Sequence, residues 1–558
     1  PGGPAQDGCW SEKGGFAYRA AALAHDVGIK AANRIADGIA YPEEAWYLTV
    51  FNPLSWERTD VVRAPLHAWE PCGLVMHWEQ PRGQGEGSVM TCGGAIGRGI
   101  TDPPLDLFEQ PFTLVDVATG EAVPYQLAQI SDPQAAQPWA AERVAMGEID
   151  RRHAVDLVFM ASGLPAMGYK TYRVAPCAQW PEYTAGGSAG DRVIENAFFR
   201  LQQDPRTGAV AGVWDKALAH ELVDREAPHR LGEIIARSCK TGREEAGRIT
   251  DAAVVESGPI YTTLRLKGVV AGCPAWTQDI TLYHTIKRID VNNLILRDST
   301  PLLELYCAFP CQVEDPCFRY ESAGTVIEPT RDQLPGSNTD YYAAQHWAHV
   351  HNERYGVVWA PVDTPMVEFG GLWPGYISGA HHGVTSPGYG HAFLKPGELS
   401  RGHIYSLMMY NNFRTNFINV HTGEALLRYA FRSHAAGRAG QVHQFGWEAA
   451  NPPLSVWMKG PQEGALPTSA SFAQVDAPNV MLLTLKQAED GNGLILRLME
   501  MQGRAAEVTV TVPSVEILHA YRTNLVEENE GLLPATLHTV QVTVKPYAIT
   551  TIRLVPHP

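Results

Sequence analysis

The chain has 558 residues, 45% hydrophobic and 19% charged, without an apolar run of the ~18 residues that a transmembrane helix needs. Lys and Arg total 44 against 60 Asp and Glu, and the formal net charge of −16 argues against nucleic acid or an anionic membrane as a partner. The length predicts two to four domains, and 52 glycines and 40 prolines spread along the chain favour short strands joined by turns.

The nine cysteines are scattered and form no CxxC pair. In a chain of this size they predict free or buried thiols rather than a disulfide framework, and therefore a reducing, cytoplasmic location. Cys307, Cys311 and Cys317 lie close in sequence, and a metal site there is the minor alternative. Because the sequence starts at Pro1 with no charged and then apolar leader, we expect a fragment or a processed product.

One amphipathic helix is predicted over Phe16–Ile39. Its apolar residues recur every three or four positions, which is the period of one helical face, and Pro42 prevents continuation. A single helix cannot bury such a stripe alone, so we expect it to pack on the β domains or on helices outside this chain. We assign residues 1–46 to this helical segment.

In the next segments apolar and polar residues alternate, as they do in β-strands. Tyr47–Arg63 predicts a strand, an Asn-Pro turn and a second strand. Further strands are predicted at Phe112–Val117, Ala154–Met160 and Lys170–Val174, with glycine-rich loops between them. We expect a small β domain at 47–185.

A β-hairpin is predicted within Val193–Asp224. Side chains alternate along an extended segment, Asp204-Pro205 with Gly208 reverses the chain, and an apolar strand returns. More strands follow at close spacing, as in a sandwich, and we expect one large sandwich domain at 186–474.

The last domain is predicted at 475–558. Asn479–Ala488 and Gly493–Glu500 should pair across a polar turn. Valines alternate over 508–512 and again over 540–544, and the segment KPYAITTIRL at 545–554 should close the sheet.

Three ordered stretches resemble glycoside hydrolase family 38, the α-mannosidase family. They are VFNPLSWER at 50–58, IENAFFR with VWDK and ELVD within 194–224, and NVMLLTLKQAEDGNGLILR at 479–497 with KPYAITTIRL near the end. The resemblance implies a mainly β protein: a large super-β-sandwich of the galactose-mutarotase-like kind, smaller β-sandwich domains, and a short N-terminal helical remnant of a helix bundle. It runs from about residue 16 to the end, and all of it falls after the family's catalytic α/β barrel.

The resemblance implies a retaining glycosidase with two carboxylates and a zinc ion held mainly by His and Asp of that barrel. No His-x-Asp occurs in this sequence, and His25-Asp26 in the predicted helix favours a solvated face over a catalytic pair. We therefore assign no catalytic or metal-binding residue to this chain and expect zinc only in the complete enzyme. The implied partners are an α-mannoside substrate and the missing N-terminal catalytic domain, and exposed apolar surface further predicts a homo-oligomer.

Polar residues beside aromatic ones are the candidates for sugar contact, because amides give directional hydrogen bonds and rings cover a sugar's apolar face. These are Asn411, Asn412, Arg414 and Asn416 in the segment Tyr410–Phe417, together with Asp332 in RDQLPGS. The alternative for each Asn and for Asp332 is a role in capping turns.

Two rival interpretations remain open. One is a non-catalytic carbohydrate-binding or interaction protein with this architecture. The other is a β-sandwich with chemistry of its own, built on Asp332, Asp363 and histidines. The histidines are His346, His349, His351, His381, His382 and His391; His346 with Trp347 favours a packed pair, and His349-x-His351 places two rings on one strand face.

Overall fold

The computed structural model describes residues 4–65, 110–129, 155–190, 192–335, 337–373, 393–411, 420–436 and 441–557, which form a mainly β protein. Among these residues, no helix is both long and apolar enough to span a bilayer. The elements up to residue 176 are α1 (Pro4–Ala36), β1 (Trp46–Asn52), β2 (Arg58–Pro65), β3 (Phe112–Asp116), β4 (Ala122–Val123), β5 (Tyr125–Gln129), β6 (Val155–Leu164) and β7 (Gly168–Pro176).

The middle of the chain is almost entirely strands. They are β8 (Ser188–Gly190), β9 (Val193–Glu195), β10 (Phe199–Gln203), β11 (Val210–Asp215), β12 (His220–Glu221), β13 (Ile234–Ser238), β14 (Glu244–Ala246), β15 (Arg248–Ser257), β16 (Tyr261–Val270), β17 (Cys273–Tyr283), β18 (Ile289–Arg297), β19 (Leu303–Pro310), β20 (Cys317–Ser322), β21 (Thr325–Ile327), β22 (Tyr341–Ala343), β23 (Ala348–His351), β24 (Tyr355–Pro361), β25 (Met366–Phe369), β26 (His403–Tyr410) and β27 (Gly423–Ala435).

One short helix and ten strands follow. They are α2 (Val442–Ala450), β28 (Leu454–Lys459), β29 (Ser469–Ser471), β30 (Gln474–Val475), β31 (Val480–Gln487), β32 (Leu494–Glu500), β33 (Ala506–Thr511), β34 (Ile517–Thr523), β35 (Asn529–Leu532), β36 (Thr539–Val544) and β37 (Ile549–Pro556).

Helix α1 starts earlier than predicted, at Pro4 rather than Phe16, and only its last part packs on the β domains. Ala32 and Ala36 are buried, whereas Phe16, Leu23 and Val27 are 57%, 64% and 64% exposed. The apolar stripe therefore continues beyond the surface that the described residues provide for it.

The small β domain packs a sheet of order β28-β1-β7-β3-β4, with β29 on β7, against the sheet β2-β6-β5. Its core fills the space between the two sheets with residues such as Leu48, Leu114 and Phe159. The structure differs here from the predicted division, because β28 and β29 lie within 186–474 and yet pair with β1 and β7. Alternation in a strand shows which face is buried but not which strand is its neighbour.

The large domain is the predicted super-β-sandwich. A six-stranded sheet, β14-β13-β19-β26-β25-β22, faces a nine-stranded sheet, β15-β16-β17-β18-β27-β24-β23-β20-β21. One core cluster contains side chains of both sheets, Leu305 and Phe309 from the first and Ile280, Trp359 and Phe431 from the second. A five-stranded sheet, β12-β11-β10-β9-β8, adds to the same cluster.

The predicted hairpin is β10 and β11, in which Arg200 lies opposite Trp214. Asp204 Oδ1 accepts hydrogen bonds from two turn amides, and Gly208 has a φ of +77° that favours glycine. The predicted extended segment is interrupted at Asn196, because its Oδ1 accepts from the amides of the next turn (2.8 and 2.7 Å).

The last domain packs the sheet β31-β32-β37-β34-β35 on the sheet β30-β33-β36. The predicted pairing of β31 with β32 is confirmed, as is the burial of the alternating valines of β33 and β36. Strand β37 lies at the centre of its sheet, between β32 and β34.

The small domain and the large sandwich share an apolar interface in which Met160 of β6 packs with Ile260, Tyr261 and Tyr283. Beside it, buried Asp60 pairs with Arg58 (3.2 Å) within the small domain and with Arg288 of the large domain (3.6 Å). The two domains are thus joined by packing, by charge and by the returning strands β28 and β29.

Candidate functional site

Asn411 follows β26 and is fully buried. Its Nδ2 donates to the Thr300 carbonyl (2.9 Å), and its Oδ1 accepts from the His421 amide (2.8 Å). The side-chain amide of Asn411 is therefore bonded to backbone groups. Asn412, Arg414 and Asn416 lie outside the described residues. Sugar contact by these residues stays a prediction.

Asp332 is exposed and closes its own turn. Its Oδ2 accepts from the Glu328 amide (2.6 Å), and its backbone amide donates to the Glu328 carbonyl (3.1 Å). Neither hydrogen bond connects it with Asn411. The turn role is the one that the local geometry supports, and a sugar contact here also stays a prediction.

The described histidines of the predicted set, His346, His349 and His351, are engaged in packing. His346 stacks on Trp447 with ring centroids 3.9 Å apart and contacts Glu321 Oε1 (2.9 Å). His349 stacks on His351 with centroids 4.4 Å apart, as expected for two rings on one strand face, and its Nε2 lies 2.8 Å from His434 Nε2.

Burial, with the neighbouring histidines, lowers the pKa of His349 well below its ordinary value, so this ring is neutral at pH 7. His381, His382 and His391 lie outside the described residues. Across the part of the chain that the structure describes, no group of three or more His, Cys, Asp and Glu side chains could hold a metal ion.

Asp363 binds Arg428 through both carboxylate oxygens (2.8 and 2.9 Å) and also accepts from the Arg428 amide. This pair fastens the turn after β24 to β27. Asp363 is thus engaged by a cation on a neighbouring strand rather than by the histidines.

A buried acid network on the six-stranded sheet escaped the sequence analysis. It joins Arg237 of β13, Glu304 and Tyr306 of β19, and Glu368 of β25. The Tyr306 hydroxyl lies between the two carboxylates, 2.7 Å from Glu368 Oε1 and 3.3 Å from Glu304 Oε2. A signal was present in the sequence, since LELYCAFP places Glu304 and Tyr306 on one face of an otherwise apolar strand.

The network holds a proton at neutral pH. Burial raises the pKa of Glu368 to about 8 and also raises the pKa of Glu304, while Arg237 opposes both shifts. The Trp373 amide donates to Glu368 Oε2 (2.7 Å), and Arg237 donates to the Trp373 carbonyl (2.6 Å). The groups satisfy one another, so the network stabilises the sheet and the loop at Trp373.

Two family models match the chain. Residues 194–359 match the model "Glycosyl hydrolases family 38 C-terminal domain", and residues 479–552 match "Glycosyl hydrolases family 38 C-terminal beta sandwich domain". None of the curated proteins matches the chain at a significant level.

Two crystal structures from Enterococcus faecalis share the fold over 95% of the chain. One is a protein in glycosyl hydrolase family 38, at 12% identity and a TM-score of 0.62; the other is an alpha-mannosidase, at 13% identity and a TM-score of 0.64. At these identities the likeness concerns the fold alone. The chain spans 61% of the length of the first structure and 58% of the second.

Proposed function

Because this chain contains the C-terminal domains of a glycosyl hydrolase family 38 protein, we propose that it forms the β scaffold and one wall of the sugar site of an α-mannosidase-like retaining glycosidase. The complete protein would hydrolyse α-mannosides. The observation that carries the proposal is that both matched domains occur, in order, within one fold shared with an alpha-mannosidase.

The catalytic carboxylates belong, in this proposal, to a preceding barrel domain. Two observations support it: the chain spans about three fifths of the two related structures, and α1 presents Phe16, Leu23 and Val27 to solvent. Apolar side chains in one helical stripe indicate a surface that another part of the protein covers. A second copy of the chain, as in a homo-oligomer, could cover the same stripe.

In this proposal the zinc ion is bound by the preceding barrel domain. We assign no zinc ligand to the described residues, in which no group of three or more His, Cys, Asp and Glu side chains could hold a metal ion.

The wall of the sugar site is proposed to include Asn412, Arg414 and Asn416, with Asp332 as a further contact. Asn411 supports this, because it directly precedes Asn412 and its buried side-chain amide bonds the Thr300 carbonyl and the backbone amide of His421, which lies beyond the segment. Asn411 would then position the segment rather than contact the sugar.

A cytoplasmic location is proposed from the thiols. Cys177, Cys239, Cys273, Cys307, Cys311 and Cys317 are all free. Free thiols in this number suit a reducing compartment.

The test is hydrolysis of an aryl α-mannoside by the purified chain, with added zinc and with chelator, beside calorimetric titration of methyl α-mannoside. We expect no turnover in either condition and weak binding that Arg414→Ala reduces by about tenfold, the loss of one charge-assisted contact. Arg206→Ala, at an exposed turn, is the matched control and should leave binding unchanged.

Zinc-dependent turnover by this chain alone would contradict the assignment of the chemistry to another domain. If a longer protein that includes the preceding domain also fails to turn over the mannoside while binding persists, the non-catalytic carbohydrate-binding interpretation replaces the proposal.

A further inference from the structure

Three histidines surround a glycine on the outer face of the nine-stranded sheet. His349 and His351 lie on this face of β23, because Val350 between them belongs to the core. Gly356 of β24 lies directly opposite His351 on one side and His434 of β27 on the other. A Cβ atom on Gly356 would lie 2.6 Å from His349 Nε2 and 2.9 Å from His434 Nε2. Glycine at this position therefore allows the two rings to meet across β24.

The hydrogen bond between these two rings has a defined direction when both are neutral. His434 Nδ1 lies 2.9 Å from the Ala435 carbonyl, which can only accept, so Nδ1 carries the proton of that ring. His434 Nε2 is then an acceptor, and His349 Nε2, 2.8 Å away, donates to it. One proton between the two Nε2 atoms thus joins β23 to β27.

A further proton disturbs this arrangement. On His434 Nε2 it places two N–H groups opposite each other at 2.8 Å, unless His349 changes its tautomer. On either ring it adds a positive charge, and His349 is only 4% exposed. Burial and the neighbouring groups lower the pKa of His349 well below its ordinary value for the same reason.

Most of the charged groups around the pair are basic. Arg319 of β20 lies directly opposite His349 in the ladder, and His351 stacks on it from the same strand. Both of these, together with His443 of α2, lower the pKa of His349. Arg432 precedes the second ring by two residues on β27, and its guanidinium lies over a ring of α2. The acidic groups are Glu328, which acts on His351, and Glu321 and Glu500, which act on His443.

We infer that the His349–His434 pair is an acid-sensitive switch, which holds the edge strands β20, β21 and β23 on the nine-stranded sheet at neutral pH and releases them when the pair takes up protons. The sheet ends with these three strands beyond β24. The pair therefore fixes the edge by a bond outside the backbone ladder. The inference does not rest on the proposed function, since neither histidine takes part in it.

The direction of the effect follows from proton binding. Because the buried ring of His349 has a lowered pKa, the closed edge binds fewer protons than the open edge at pH values below the ordinary histidine pKa of 6.5. Each proton taken up on opening raises the opening equilibrium constant by up to about tenfold for every pH unit below that value.

The experiment is hydrogen exchange of the purified chain at pH 7.5 and pH 5.5, followed by mass spectrometry and corrected for the intrinsic exchange rate. Protection of the β23 amides should fall by about tenfold between the two pH values. Amides of β36 in the last domain are the internal reference, and their protection should change much less.

His349→Gln and His434→Gln keep the bond but remove a titrating ring, because a glutamine amide donates through nitrogen and accepts through oxygen. Each variant should reduce the loss of β23 protection in acid, and the double variant should nearly abolish it. His519→Gln, at an exposed position of β34, is the matched control and should behave as the parent chain does. Glu368 is common to all these chains, so its own titration cancels from the comparison.

Two results would overturn the inference. One is an equal loss of β23 protection in acid in the parent chain and in the double variant, which would assign the effect to other groups. The other is an equal loss in β23 and β36 of the parent chain, which would show unfolding of the whole protein rather than release of one edge.

Discussion

Glu368 shows how a single buried side chain couples this fold to pH. Its carboxyl lies within a sheet, touches Tyr306 and the Trp373 amide, and has Arg237 and Glu304 as its charged neighbours. Because burial penalises the ionised form, the folded state holds the proton more tightly than the unfolded state does.

We predict that the protein loses stability as pH rises from about 4.5, the ordinary pKa of the side chain, to about 8, its pKa in the fold. The sign follows because the folded state binds more protons across this window. Glu368→Gln keeps a neutral group that can bond both Tyr306 and Trp373, so its urea midpoint should fall less between pH 5.5 and pH 8.5.

Glu226→Gln, at an exposed position, is the control and should retain the pH dependence of the parent chain. Equal pH dependence in Glu368→Gln and the parent would show that Glu368 is already ionised at neutral pH.

Among the elements, α1 illustrates how one helix can serve two surfaces. Its last turns and the residue Ile39 beyond it are buried against the small domain, near Leu454 and Leu466. Its earlier apolar residues, Phe16, Leu23 and Val27, remain in solvent among the described residues. The apolar face of α1 is thus buried at the C-terminal end of the helix and exposed in the part before it.

Ile39→Ala should therefore lower the free energy of unfolding by about 3 kcal/mol, since a buried side chain is lost and a cavity remains. Leu23→Ala removes an exposed side chain and should change it by less than about 0.5 kcal/mol. Urea denaturation monitored by circular dichroism measures the free energy of unfolding of both variants. A large loss in Leu23→Ala would mean that the stripe is already covered in this chain, for example by a second copy.

At the scale of the whole molecule, the junction between the small domain and the large sandwich holds these two domains together. It combines the apolar cluster around Met160 and Ile260 with the triad of Arg58, Asp60 and Arg288. The chain also connects the two domains, because β28 follows the strands of the large sandwich and pairs with β1 of the small domain.

Asp60→Asn should destabilise the protein by about 3 kcal/mol, because it removes the carboxylate that pairs with buried Arg58 (3.2 Å) and one of the two carboxylates that pair with Arg288, the other being Asp290. Tryptophan fluorescence and circular dichroism should show both domains melting earlier. Asp26→Asn, in an exposed pair with Lys30, is the control and should shift the midpoint little. Unfolding of one domain alone would contradict a rigid junction.

Local features of this protein were predictable from its sequence. The β10–β11 turn at Asp204 and Gly208 and the valine faces of β33 and β36 depend on residues close together in the chain, so turn chemistry and alternation were sufficient. The family resemblance rested on motifs of the same local kind, and the family models support it.

Long-range pairings required the folded structure. The return of β28 to β1, the network of Arg237, Glu304 and Glu368, and the saturated amide of Asn411 all join groups far apart in sequence. A period of two tells which face of a strand is buried, but the identity of the neighbour depends on the topology of the complete chain. For that reason the domain junction emerged only from the three-dimensional arrangement.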